Sequence, residues 1–142
     1  MTRMDDPLYD CSISTFAWVG DAVFELYIRT KLAGDHQKTS GALHHLATKF
    51  VSAKGQAELM ELLLNDGAFD LTTSERNLLQ RARNFHTTSV SKHCDLVDYR
   101  KATAFEALIG WLWLQGKNER AIALIEYAMA ELEEKKLQNG GQ

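Results

Sequence analysis

The sequence predicts an all-α domain, a helical bundle without a sheet. Three observations carry this. The 142 residues include a single proline. No segment alternates apolar and polar residues for long enough to form a strand. Apolar residues instead recur at helical spacing along most of the chain. One domain is expected at this length, with enough chain to bury a core. An apolar content of 45% is too high for disorder, and its scatter leaves no membrane span. The formal net charge of −3 argues against a partner held by bulk positive charge.

Residues 1–13 carry little pattern and read as a leader. Acids stand near the N-terminus and no long apolar run follows, so no signal or transit peptide is expected and the cytoplasm is the expected compartment. Cys11 and Cys94 make no disulfide framework and are expected to be ordinary thiols. From Ser14 to Leu32 the chain is apolar on nearly all sides, as in a central helix. Gly34 to Gly41 reads as a loop. Residues 42–65 read as one or two helices, stopped by Asn65-Asp66-Gly67. Thr72-x-x-Glu75 has the spacing of a capping box and starts a short helix through Ala82. Phe85 to Asp98 lacks a period and reads as an exposed loop. Tyr99 to Gln115 is densely apolar again. Residues 118–136 form an amphipathic helix. The domain is expected to span residues 14–137, with 138–142 a flexible tail.

The two most apolar helices each carry one polar line. Asp21, Glu25 and Arg29 are spaced i, i+4, i+8, and Thr103, Glu106 and Gly110 are spaced i, i+3, i+7, so each set shares a face. An unpaired carboxylate among apolar neighbours is costly, and Asp21 and Glu106 on facing helices could share a divalent cation. Oxygen ligands of this kind suit Mg²⁺ or Mn²⁺. Gly20 and Gly110 would let backbones or a ligand come close. Plainer readings fit the same spacing. Asp21 after Gly20 could be a helix N-cap, the first line could be a surface ion-pair ladder, and Thr103-x-x-Glu106 could be another capping box. The five histidines lack zinc-ligand spacing, and no glycine-rich phosphate loop or nucleophile elbow is present.

The overall charge hides a local surplus. Between Arg76 and Lys101 there are six Lys or Arg against two Asp. This stretch is either a solvated face or a patch that tracks phosphates.

Val19-Gly20-Asp21-Ala22-Val23-Phe24-Glu25-Leu26 resembles the signature helix of the ribonuclease III catalytic domain. Phe105-Glu106-Ala107-Leu108-Ile109-Gly110 resembles that family's second motif. Val51-Ser52-Ala53-Lys54-x-Gln56-Ala57, Arg81-x-Arg83-Asn84 and Tyr99-Arg100-x-x-Thr103-Ala104-Phe105-Glu106-Ala107 are similar to the Mini-ribonuclease III subfamily, a bare catalytic domain. The ordered set covers about residues 14–134. The length leaves room for one catalytic domain and none for an attached RNA-binding domain.

The resemblance implies a ribonuclease III-type fold in a two-fold homodimer. It implies a Mg²⁺-dependent endoribonuclease, with Mn²⁺ as an alternative ion, that cuts double-stranded RNA to 5′-phosphate and 3′-hydroxyl ends. Asp21 and Glu106 are then the catalytic and metal-holding residues. Lys54, Arg81, Arg83, Asn84 and Arg100 are the expected RNA contacts. Precursor large-subunit ribosomal RNA is the expected substrate, an accessory ribosomal protein an expected partner, and no membrane is involved. Two acidic positions of the wider family are here Ala17 and Thr103, a thinning the subfamily shares. That departure sustains a rival reading, a catalytically inactive helical dimer that binds structured RNA or ribosomal particles.

Overall fold

The computed structural model describes residues 12–34, 38–65, 69–85 and 95–140. Among the described residues six helices follow one another: α1 (Ile13–Leu32), α2 (Ser40–Val51), α3 (Ala53–Leu64), α4 (Thr73–Arg83), α5 (Leu96–Leu114) and α6 (Asn118–Gly140). There is no strand among the described residues, so the all-α expectation holds. The region read as one or two helices is two. Ser52 separates them, extended at φ −66°, ψ 159°, and its hydroxyl caps α3 at Gly55 N–H.

The capping box at α4 is present in both directions. Thr72 Oγ1 accepts from Glu75 N–H at 3.1 Å, and Glu75 Oε1 accepts from Thr72 N–H at 2.8 Å. α5 begins earlier than Tyr99. Asp95 Oδ1 accepts from the Val97 N–H at 2.7 Å, which starts the helix at Leu96 and removes three residues from the expected loop. The rest of that stretch, 86–94, lies outside the described residues, as do Cys11 and Cys94. α6 runs to Gly140, beyond the boundary expected at 137. Good helix formers fill 131–138 and nothing breaks the helix before Asn139-Gly140.

The central helix is α5 rather than α1. It packs against α1, α3, α4 and α6. Phe105, Ala107, Leu108 and Ile109 are fully buried, and Phe105 meets Phe24 of α1 edge-on at 5.2 Å between ring centroids. α1 buries Ile13, Phe16, Gly20, Val23, Phe24 and Ile28 on one side. Its other side is exposed yet apolar, with Trp18 78% and Leu26 63% accessible. Periodicity alone could not separate a stripe that faces the chain's own core from one that faces outward.

Candidate active site

Asp21 and Glu106 stand on the two helices in closest contact, α1 and α5. Glycines set that approach. A Cβ on Gly20 would sit 1.7 Å from the Glu106 carbonyl oxygen, and one on Gly110 would sit 1.8 Å from that of Phe16. No side chain fits at either place, so the backbones touch. The contact point of Gly20 is the peptide of Glu106 itself, and Asp21 is the next residue along. The two carboxyls are thereby brought together and share a hydrogen bond.

Both acids lie inside long helices, so the N-cap and second capping-box readings fall away. Asp21 is exposed and Glu106 half-buried. The Glu106 carboxyl is pushed up to about 9, first by burial, then by the Asp21 charge and by the hydrogen bond to it. Like charges at contact cannot both persist without a counter-charge. A proton fills that place in the protein by itself. A hard divalent cation, which takes oxygen ligands, fits the same donor set. Among the described residues no cluster of three or more His, Cys, Asp or Glu is placed to hold a metal ion. Ala17 and Thr103, at two positions where the wider family is expected to carry acids, add no carboxylate to the pair.

Glu25 does not join the pair. Its Oε1 accepts from the Arg29 guanidinium at 2.6 Å, one turn on, as the ion-pair reading of these two expects.

The candidate RNA contacts fall in separate places. Arg81 and Arg83 occupy the last turn of α4, and Asn84 closes it. All three are exposed. The Arg81 guanidinium lies 5.9 Å from the centroid of the Phe16 ring, so the end of α4 sits beside the first turns of α1. Arg100 is exposed on the first half of α5. Lys101 next to it is tied to Glu61 of α3. Lys54 is exposed in the first turn of α3, on a different element from the α4 group.

A further ion pair joins distant elements. Arg120 of α6 donates to both Glu75 oxygens, at 2.8 and 2.7 Å, and to the Asp70 carbonyl at 2.8 Å. Its guanidinium also covers the Phe69 ring at 4.5 Å. It lies 45 positions from Glu75, so no local spacing announces it.

The ribonuclease III domain matches this chain over residues 14–117, a span that includes both carboxyls and both glycines. The chain belongs to the ribonuclease III family, and within it to the Mini-ribonuclease 3 group. It is 40% identical to Mini-ribonuclease 3 of Enterococcus faecalis, covering 83% of this chain and 88% of that protein. With Mini-ribonuclease 3 of Staphylococcus aureus it is 39% identical, covering 78% and 81%. A crystal structure of a Fusobacterium nucleatum protein superposes with a TM-score of 0.73 at 28% identity, covering 87% of this chain and 95% of that one. The protein is thus a ribonuclease III-type endoribonuclease. None of its described helices is long and apolar enough to cross a membrane.

Proposed function

We propose that the chain is a Mg²⁺-dependent endonuclease of double-stranded RNA, with Mn²⁺ able to substitute, and that Asp21 and Glu106 carry the reaction. The observation behind this is the Glu106 carboxyl held against Asp21 with its proton retained up to about 9. Keeping two acids together costs stability, which a proton or a cation relieves. Asp21 and Glu106 would hold the cation, which would supply a water of lowered pKa and a counter-charge for the scissile phosphate; hydrolysis of the phosphodiester by that water would give 5′-phosphate and 3′-hydroxyl ends. Asp21, exposed, meets solvent and substrate first. Glu106, half-buried, gives up its proton when a cation enters. Gly20 and Gly110 fix the separation of the two carboxyls. Arg81, Arg83, Asn84, Arg100 and Lys54 contact the duplex backbone, which proteins read mainly by shape and phosphate position.

The exposed apolar side of α1 supports a two-fold homodimer. Trp18 at 78% and Leu26 at 63% accessibility leave large apolar surface on the same helix as Asp21. Two sites along one valley then cut both strands. Precursor large-subunit ribosomal RNA is the substrate this group membership favours, with a ribosomal protein shaping it and the cytoplasm as the compartment.

The test uses a perfect RNA duplex with Mg²⁺ and three proteins: wild type, Asp21→Asn and Glu106→Gln. Wild type cuts, EDTA stops it, and each variant loses roughly 10²- to 10³-fold in rate. Equal cutting by all three would overturn the site. Duplex binding without any cleavage would favour the inactive RNA-binding dimer. Sedimentation as a 16.0 kDa species at micromolar concentration would overturn the dimer.

A further inference from the structure

We propose that a second polyanion-binding surface lies at the α2–α3 corner, formed by Lys49 and Lys54 on either side of the turn and by Lys136 over the Phe50 ring, and that it grips the phosphate backbone of duplex RNA outside the carboxyl pair. The inference rests on the duplex-RNA reading above.

Three helices build the corner. α2 ends at Val51 and α3 starts at Ala53. The turn is tight enough that a Cβ on Gly55 would lie 2.2 Å from the Lys49 carbonyl oxygen and 2.8 Å from that of Phe50. Lys49 and Lys54 therefore flank one turn, and both are exposed. α6 brings the third charge. Its buried stripe runs through Leu124, Ile125, Ala128 and Leu132. One turn further the same face carries Lys135 and Lys136. Lys135 pairs with Glu58 of α3 at 3.5 Å. The Lys136 ammonium instead lies 5.4 Å from the centroid of the Phe50 ring.

A ring face orients an ammonium without cancelling its charge. Among the described residues, Lys49, Lys54 and Lys136 have no carboxylate partner, while the corner's Glu58 is taken by Lys135. A chain with 19 acids and 16 Lys or Arg thus keeps three unpaired lysines in one place. The first turn of α3 adds no acid, and its N-terminal dipole has the same sign as the lysines. Lysines act as point charges, suited to holding phosphates rather than reading bases. α3 packs on α5, the helix of Glu106, so one rigid element connects corner and site. Such a surface supplies a grip on the duplex in addition to that of Arg81, Arg83, Asn84 and Arg100.

The test compares the Lys49→Gln/Lys136→Gln double variant of the full chain with wild type. Lys31→Gln/Lys117→Gln serves as a control of equal charge change elsewhere. Affinity for an RNA duplex of about 30 base pairs is measured in EDTA over a salt series, each lysine counting as roughly one phosphate contact. The corner variant is expected to bind about tenfold more weakly, with a log–log salt slope shallower by about two. The control keeps wild-type values, and all three proteins melt together. Wild-type slope and affinity in the corner variant would overturn the inference, as would an equal loss in the control. Loss of binding to phosphatidylglycerol vesicles with duplex affinity unchanged would overturn it in favour of a lipid surface. Wild type that neither binds nor cuts duplex would overturn the functional reading itself. Wild type that cuts beside an unaffected corner variant would overturn the corner alone.

Discussion

Glu75 of the peripheral helix α4 and Glu106 of the central helix α5 are both glutamates turned away from water, and they meet opposite fates. Glu75 is 3% exposed at its side chain and has every oxygen engaged, by Arg120, by the Thr72 N–H and by its own capping box. Burial alone would push its carboxyl up. The Arg120 hydrogen bond, the Thr72 backbone and the Arg120 charge outweigh burial and hold it below the usual carboxylate range. Glu106 is less buried, and its neighbour is another acid. Burial and Asp21 act in the same direction and push it to about 9. Glu75 is finished within the fold and fastens α4 to α6. Glu106 keeps an unrelieved conflict with Asp21, the kind of perturbed carboxyl that the proposed metal site would use.

Changing the charges of the two regions should therefore change stability with opposite sign, whereas breaking the helix contact beneath the carboxyl pair costs stability outright. The largest loss is expected where the two carboxyl-bearing helices touch. Gly20→Ala or Gly110→Ala drives a Cβ into backbone and should cost roughly 3 kcal/mol or more, lowering Tm by about 10 °C, read by thermal melting. Next comes Arg120→Ala, which strands a buried carboxylate and should cost about 3 kcal/mol in a denaturant titration. The Glu75 contribution depends on pH in a defined sense. Its folded value is depressed, so it stabilises the protein above its ordinary value near 4.5 and that contribution is lost as pH falls below it. Glu106→Gln has the reverse effect, raising Tm of the metal-free protein by several degrees at neutral pH, because a neutral amide removes the conflict with Asp21. Smallest is Arg29→Ala. The Glu25 pair is open to water, with side chains 63% and 36% accessible, and its loss should stay within about 0.5 kcal/mol.

Much of this was legible in the sequence, for a local reason. The signature helix and the second motif each hold glycine and acid within a few residues, so Asp21 and Glu106 could be named before their contact was seen. The capping box at Thr72 is equally local. What escaped depends on tertiary register. Arg120 and Glu75 share no sequence neighbourhood. The lysines of the α2–α3 corner come from three helices, whereas charge counted along the chain drew attention to 76–101. The apolar excess of α1 fits a core-facing or a partner-facing side equally well by periodicity; of the residues expected to face a partner, Trp18 is exposed whereas Phe16 is fully buried in the chain's own core. The start of α5 was missed because one side-chain cap at Asp95 outweighed weak apolar patterning.

The central claim is that Glu106 is held against Asp21 at a cost that a cation removes. Thermal melting of wild type and Glu106→Gln in EDTA, from pH 5 to 9, tests it most directly. An acid whose folded value is raised from about 4.5 to about 9 destabilises the fold progressively across that window. The account predicts that the two proteins melt nearly together at pH 5, that the variant's advantage widens toward pH 9, and that added Mg²⁺ closes the gap by stabilising wild type alone. A gap that stays constant with pH, or a wild type more stable than the variant throughout without metal, would contradict it.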